Sequence, residues 1–156
     1  MRDDWKLPWE AGCRCERVRM RVTEAPLLTM ACHCRGCQRM TASAYSLSIA
    51  VPASGFHVVE GEPVIGGLHG PSRHHHCPHC KSWLFTRPEG LEGIMVNLRA
   101  TMLDEAGWFA PYIETSTAEG YAWARTGAVH SFPNIPEMSV YPPLVEEFRE
   151  RGPRPG

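Results

Sequence analysis

Residues 12–23 read Gly12-Cys13-Arg14-Cys15-Glu16-Arg17-Val18-Arg19-Met20-Arg21-Val22-Thr23, and two instructions meet there. The first is a pair of thiols one residue apart, too close for an unstrained disulfide but well placed to chelate one ion. The second is strict alternation: Val18, Met20 and Val22 on one side, Arg17, Arg19 and Arg21 on the other. A period of two with one apolar face specifies a half-buried strand. A strand hung directly on a thiol pair predicts a β protein whose loops are tied by metal.

The pattern repeats along the chain. Leu27 to Ala31 reads as a second strand running into Cys32-His33-Cys34-Arg35-Gly36-Cys37. Cys77-Pro78-His79-Cys80 is followed by a strand over Ser82 to Thr86. Further strands are expected over Ala44 to Val51, Phe56 to Val59, Ile94 to Leu98 and Tyr112 to Thr115, with loops at Gly66-Gly67 and Gly70-Pro71. Glu119 to Ala124 gives a helical turn at best. Only the tail predicts a helix, with Pro143 in its first turn, Leu144, Val145 and Phe148 on one face, and Gly152 as the stop. The fold class expected is mainly β with a short C-terminal helix, in one zinc-binding domain over residues 1–156, its core about 9–135 and a tail 136–156.

Bulk properties narrow the function. A net charge of −1 gives no field for nucleic acid or an anionic membrane surface. No apolar run approaches the roughly 20 residues that span a bilayer, and Met1 to Glu10 lacks the apolar core of a signal peptide. A cytoplasmic location, where thiols stay reduced, is expected. The odd count of seven cysteines argues against a disulfide framework.

Seven clustered thiols divide naturally as four and three. A structural zinc takes four ligands in a tetrahedron, and a zinc with three protein ligands keeps its fourth position for a guest. The three sulfurs of Cys32, Cys34 and Cys37 can fill three corners of one site by themselves. Cys13, Cys15, Cys77 and Cys80 would then close around another ion, although spacing alone leaves the pairing open. A redox C-x-x-C is disfavoured because Cys80 leads into a strand rather than a helix. His33, in a Cys-His-Cys stretch, should point away from the metal, and His74, His75, His76 and His79 are expected to cover the site or donate to sulfur. Arg14, Arg35 and Arg39 lie within or beside the clusters; the last two are candidates to meet an anionic substrate.

These residues resemble the glutathione-dependent formaldehyde-activating enzyme family, which includes the centromere protein V type. The likeness rests on Gly-Cys-x-Cys, Cys-His-Cys-Arg-x-Cys and Cys-Pro-x-Cys, with Gly61-Glu62-Pro63, Val96-Asn97, Met102-Leu103-Asp104, Ile113-Glu114-Thr115 and Trp123-Ala124 in similar positions. It implies an Mss-four-like fold of short antiparallel strands and two zinc ions per chain. Cys13, Cys15, Cys77 and Cys80 match the structural ligands, and Cys32, Cys34 and Cys37 the catalytic ones. The activity implied is carbon–sulfur lyase chemistry between glutathione and formaldehyde; the alternative is a zinc-stabilised binding module without catalysis. Where the family usually has glycine after the first and last clusters this chain has Glu16 and Lys81, and His76 replaces a common aromatic residue.

Overall fold

The computed structural model describes residues 3–66 and 70–156. Met1 and Arg2, at the start of the segment read against a signal peptide, and Gly67, in the expected Gly66-Gly67 loop, lie outside the described residues.

Two sheets form the body. The smaller holds β1 (Trp9–Gly12), β2 (Arg19–Val22) and β5 (Phe56–Glu60). The alternation of residues 17–23 is realised here: Val18, Met20 and Val22 are buried, and β2 lies antiparallel to β1 with Trp9 opposite Val22. The larger sheet adds β3 (Leu28–Cys32), β4 (Ser46–Pro52), β6 (Val64–Ile65), β7 (Arg73–His76), β8 (Trp83–Arg87), β9 (Met95–Arg99), β10 (Ile113–Thr115) and β11 (His130–Ser131). Its order is β11-β10-β3-β4-β9-β8-β7-β6. Pairing is antiparallel except around β10, which runs parallel to both β3 and β11. Ile49, Val51, Leu84, Phe85, Val96, Leu98 and Ile113 are buried in the core shared with Met20 and Val22.

The expected mainly β architecture and its terminal helix are both present. The helix α2 (Tyr141–Arg151) follows a shorter one, α1 (Arg35–Thr41). In α2, Leu144 and Phe148 are buried, and the Gly152 amide closes the helix onto the Phe148 carbonyl at 2.8 Å. Phe148 stacks on Trp5 at 5.7 Å and meets Tyr112 edge-on at 5.5 Å, so the tail helix and the N-terminal segment share one aromatic cluster. Arg154 lies over Trp5 and pairs with Asp4, fastening the two ends of the chain.

Sequence reading missed α1 and the short strands β1, β6, β7 and β11. The seven residues of α1 carry no apolar stripe; the helix stands on Cys34 as its N-cap, whose sulfur accepts from the Cys37 amide at 3.3 Å, and on the buried side chain of Gln38. The β7 segment is Arg73-His74-His75-His76, polar in composition. It pairs because aromatic partners wait across the ladder: His75 stacks on Phe85 at 4.4 Å and 13°.

Candidate metal centres

The first centre is built from two similar turns. Cys13 follows β1, and its amide donates to the Val18 carbonyl at 3.2 Å; Cys77 follows β7, and its amide donates to the Ser82 carbonyl at 3.0 Å. Within the turns the Val18 amide points at the Cys13 sulfur at 3.4 Å and the Cys80 amide at the Cys77 sulfur at 3.5 Å. Such N–H···S bonds favour thiolates. The Arg14 amide reaches Ser82 Oγ at 3.2 Å and joins the turns.

The sulfurs of Cys13, Cys15, Cys77 and Cys80 all lie within 4.8 Å of one another. Cys13 and Cys15 are 3.5 Å apart, and Cys15 and Cys77 3.7 Å. A tetrahedron with metal–sulfur bonds of about 2.3 Å has edges of about 3.8 Å. These separations far exceed a disulfide bond, and all seven cysteines are free thiols. Donor type and spacing fit zinc. Burial opposes ionisation of Cys80, but the Ser82 hydroxyl and amide bring it down to about 5.

The turns also account for two departures noted in the sequence. Glu16 and Lys81 sit at φ 64° and φ 62°, in the left-handed region where glycine is unstrained. A glycine preference at these positions is therefore a backbone requirement that this chain meets with ordinary residues.

The second centre lies at the end of β3. Cys32 closes the strand, Cys34 caps α1 and Cys37 is in its first turn; the three sulfurs lie within 4.8 Å of one another. Hydrogen bonds from Cys34 and Cys37 hold Cys32 down to about 2, while the hydrogen bonds of Cys37 to Cys32 and Cys34, with burial, push Cys37 upward. Thr115 and Ser46, the ladder partners of Cys32 on β10 and β4, flank the cluster; Thr115 also lowers Cys32, and Ser46 lowers Cys37. Of the His, Cys, Asp and Glu side chains among the described residues, no fourth joins this group.

The sequence profile of the glutathione-dependent formaldehyde-activating enzyme family matches residues 8–119. The chain belongs to that family. A search of curated proteins gives no match. A crystal structure of a Rhodobacter sphaeroides protein is similar in fold, with a TM-score of 0.51 and 16% identity over 62% of this chain and 88% of that one.

In this family member an open groove of about 630 Å³ runs along α1, lined by Arg35, Gln38, Arg39, Ser43, Tyr121 and Trp123 among others and by none of the cysteines. Arg35 donates to Gln38 Oε1 at 2.5 Å and to the Tyr121 hydroxyl at 3.3 Å. Tyr121 and Trp123 stack at 5.6 Å, and Trp123 is 78% exposed, unlike the buried Trp83. Arg35 and Arg39 both line this groove. Arg14 is exposed at the other centre.

The histidines do not do what their position suggests. His33 points away from the sulfurs as expected, but it donates to no thiolate: its Nε2 lies 2.9 Å from the Glu114 carboxylate, and both side chains are buried. Glu114 also accepts from the Thr126 hydroxyl at 2.7 Å, the Thr126 amide at 3.2 Å and the Ser131 hydroxyl at 2.7 Å. Burial alone would raise this carboxyl, yet those bonds bring it down to about 2. Gln38 braces the same stretch, donating to the carbonyls of His33 at 2.7 Å and Glu119 at 3.0 Å. His74 bonds Thr86 Oγ1 at 2.8 Å, and His79 is exposed. Beyond its place in the family-like stretch Ile113-Glu114-Thr115, Glu114 could have been read as a charged residue inside the apolar strand Tyr112 to Thr115, which signals a buried partner.

Proposed function

We propose that this protein joins a thiol, most simply glutathione, to formaldehyde, or cleaves the resulting S-hydroxymethyl adduct, at the Cys32, Cys34 and Cys37 cluster. In this reading Cys13, Cys15, Cys77 and Cys80 hold a structural zinc, and Cys32, Cys34 and Cys37 hold a second one. Zinc with three thiolate ligands supplies, when bound, a position that keeps a fourth thiolate ionised near neutral pH. Donor chemistry and sulfur spacing support both assignments.

The reaction balances simply. The thiol loses its proton to solvent, its sulfur bonds the aldehyde carbon, and the carbonyl oxygen takes up a proton to become a hydroxyl; cleavage reverses each step. The chain's own residues bind and orient. The Arg35 and Arg39 guanidiniums, on the helix that carries Cys37, suit the two carboxylates of the tripeptide. Tyr121 and Trp123 offer its backbone an apolar floor. The His33–Glu114 pair and Gln38 fix the chain between Cys32 and Cys34, so the sulfurs stay aimed at one point.

The observation that carries the reading is the unequal grouping of thiols, four in one cluster and three in the other. The test is Cys34→Ser. It should remove adduct formation while the four-thiol centre keeps its zinc; full activity in that variant would end the proposal. Arg35→Ala and Arg39→Ala should raise KM for glutathione but not for a small thiol without carboxylates.

A further inference from the structure

Arg99 is an arginine in an unusual setting. It is 7% exposed, and among the described residues it has no carboxylate partner. Its Nε is buried without a hydrogen bond, and its Nη2 makes one long bond, 3.4 Å, to the Asn97 carbonyl. The guanidinium lies over the Trp83 ring at 4.1 Å. A buried cation must be compensated, and stacking on an indole is only part of that.

Register locates the rest. Cys32 faces Ser46 on β4, and Arg99 faces Ser48 on the same strand. Residues two apart share a face, so Cys32 and Arg99 project from the same side of the sheet. They are two strand spacings of about 4.8 Å apart and two residues along, a gap that a long arginine side chain largely spans. Burial lowers Arg99 only to about 10, with Cys37 and Cys32 acting in the opposite direction, so it stays charged at neutral pH. His74, which also senses this charge, is lowered chiefly by its own burial.

We propose that Arg99 is the counter-charge of the three-thiol centre and makes its open position selective for an anionic sulfur guest over a neutral one. The inference rests on the zinc reading above. Three thiolates around zinc carry about −1, and a thiolate guest brings this to about −2. A fixed buried cation behind the cluster offsets that increase without touching the guest, and does so for any thiolate whatever its tail. Arg35 and Arg39 would read the tail; Arg99 would favour the sulfur.

The experiment uses the full chain with cobalt in place of zinc, whose visible absorption reports each added thiolate ligand, titrated with 2-mercaptoethanol, which has no carboxylate. Arg99→Met should weaken this thiol by about thirtyfold, the scale of one charge pair about 8 Å apart at an effective dielectric of about 20, and leave the affinity for neutral imidazole unchanged. Arg99→Lys should restore most of the thiol affinity. Equal losses for both guests, or a Lys variant as weak as the Met variant, would make the role one of packing and overturn the inference. An unchanged thiol affinity in Arg99→Met, with a wild-type protein that responds, would overturn it alone; a wild-type protein that does not respond would overturn the open-position reading as well. If the Met variant fails to hold two cobalt ions, Arg99→Gln provides the neutral side chain.

Discussion

Replacing Glu114 by glutamine should cost stability and should do so in a pH-dependent way. The carboxylate is buried, accepts four hydrogen bonds and is drawn from an ordinary 4.5 to about 2. At about 1.4 kcal/mol per tenfold change in proton affinity, that depression is about 3 kcal/mol of folding free energy. The sign follows from its direction. An acid stronger in the folded than in the unfolded chain stabilises the fold fully above pH 4.5, and the contribution fades as pH falls towards 2. Urea unfolding of wild type and Glu114→Gln at pH 7, 4 and 3 should show a gap of about 3 kcal/mol at pH 7 that narrows at the two lower values. Protonation of the clustered thiolates acts on both proteins and drops out of the difference. A gap below about 1 kcal/mol at pH 7, or one that stays constant down to pH 3, would refute the account of Glu114 as an ionised anchor for His33.

Further predictions concern the turns and the tail. Glu16→Gly and Lys81→Gly, each relieving a left-handed residue, should raise stability by about 1 kcal/mol in the same assay. Gly120→Ala should lower it by about 1–3 kcal/mol, because the added methyl would stand 2.9 Å from His33 Nδ1 and 3.1 Å from its Cβ and Cγ. Phe148→Ala, emptying the site between Trp5 and Tyr112, should cost about 3–5 kcal/mol, seen as a lower urea midpoint with the zinc content unchanged.

The strands that alternate were legible because one face is buried: Val18, Met20 and Val22 announce β2 before any tertiary contact is known. The thiols were legible for a different reason, since close spacing is itself a geometric statement about chelation. What escaped reading depends on distant partners. Nothing local in Arg73-His74-His75-His76 marks a strand; Phe85 and Trp83, across the ladder, make it one. Likewise α1 draws on a cysteine cap and on the Glu119 carbonyl, far along the chain, that holds Gln38. Glu114 and Arg99 lie on strands whose spacing to the cysteines is set by sheet order, and strand order across β10-β3-β4-β9 was not contained in any one segment.

Sulfur coordination counted by X-ray absorption tests the central claim most directly. With zinc at two ions per chain, seven thiolates should give an average of about 3.5 sulfurs per zinc, rising to about 4 when glutathione is added. An average that is already 4 without a thiol, or one that stays near 3.5 in excess glutathione, would contradict an open position at the Cys32, Cys34 and Cys37 centre.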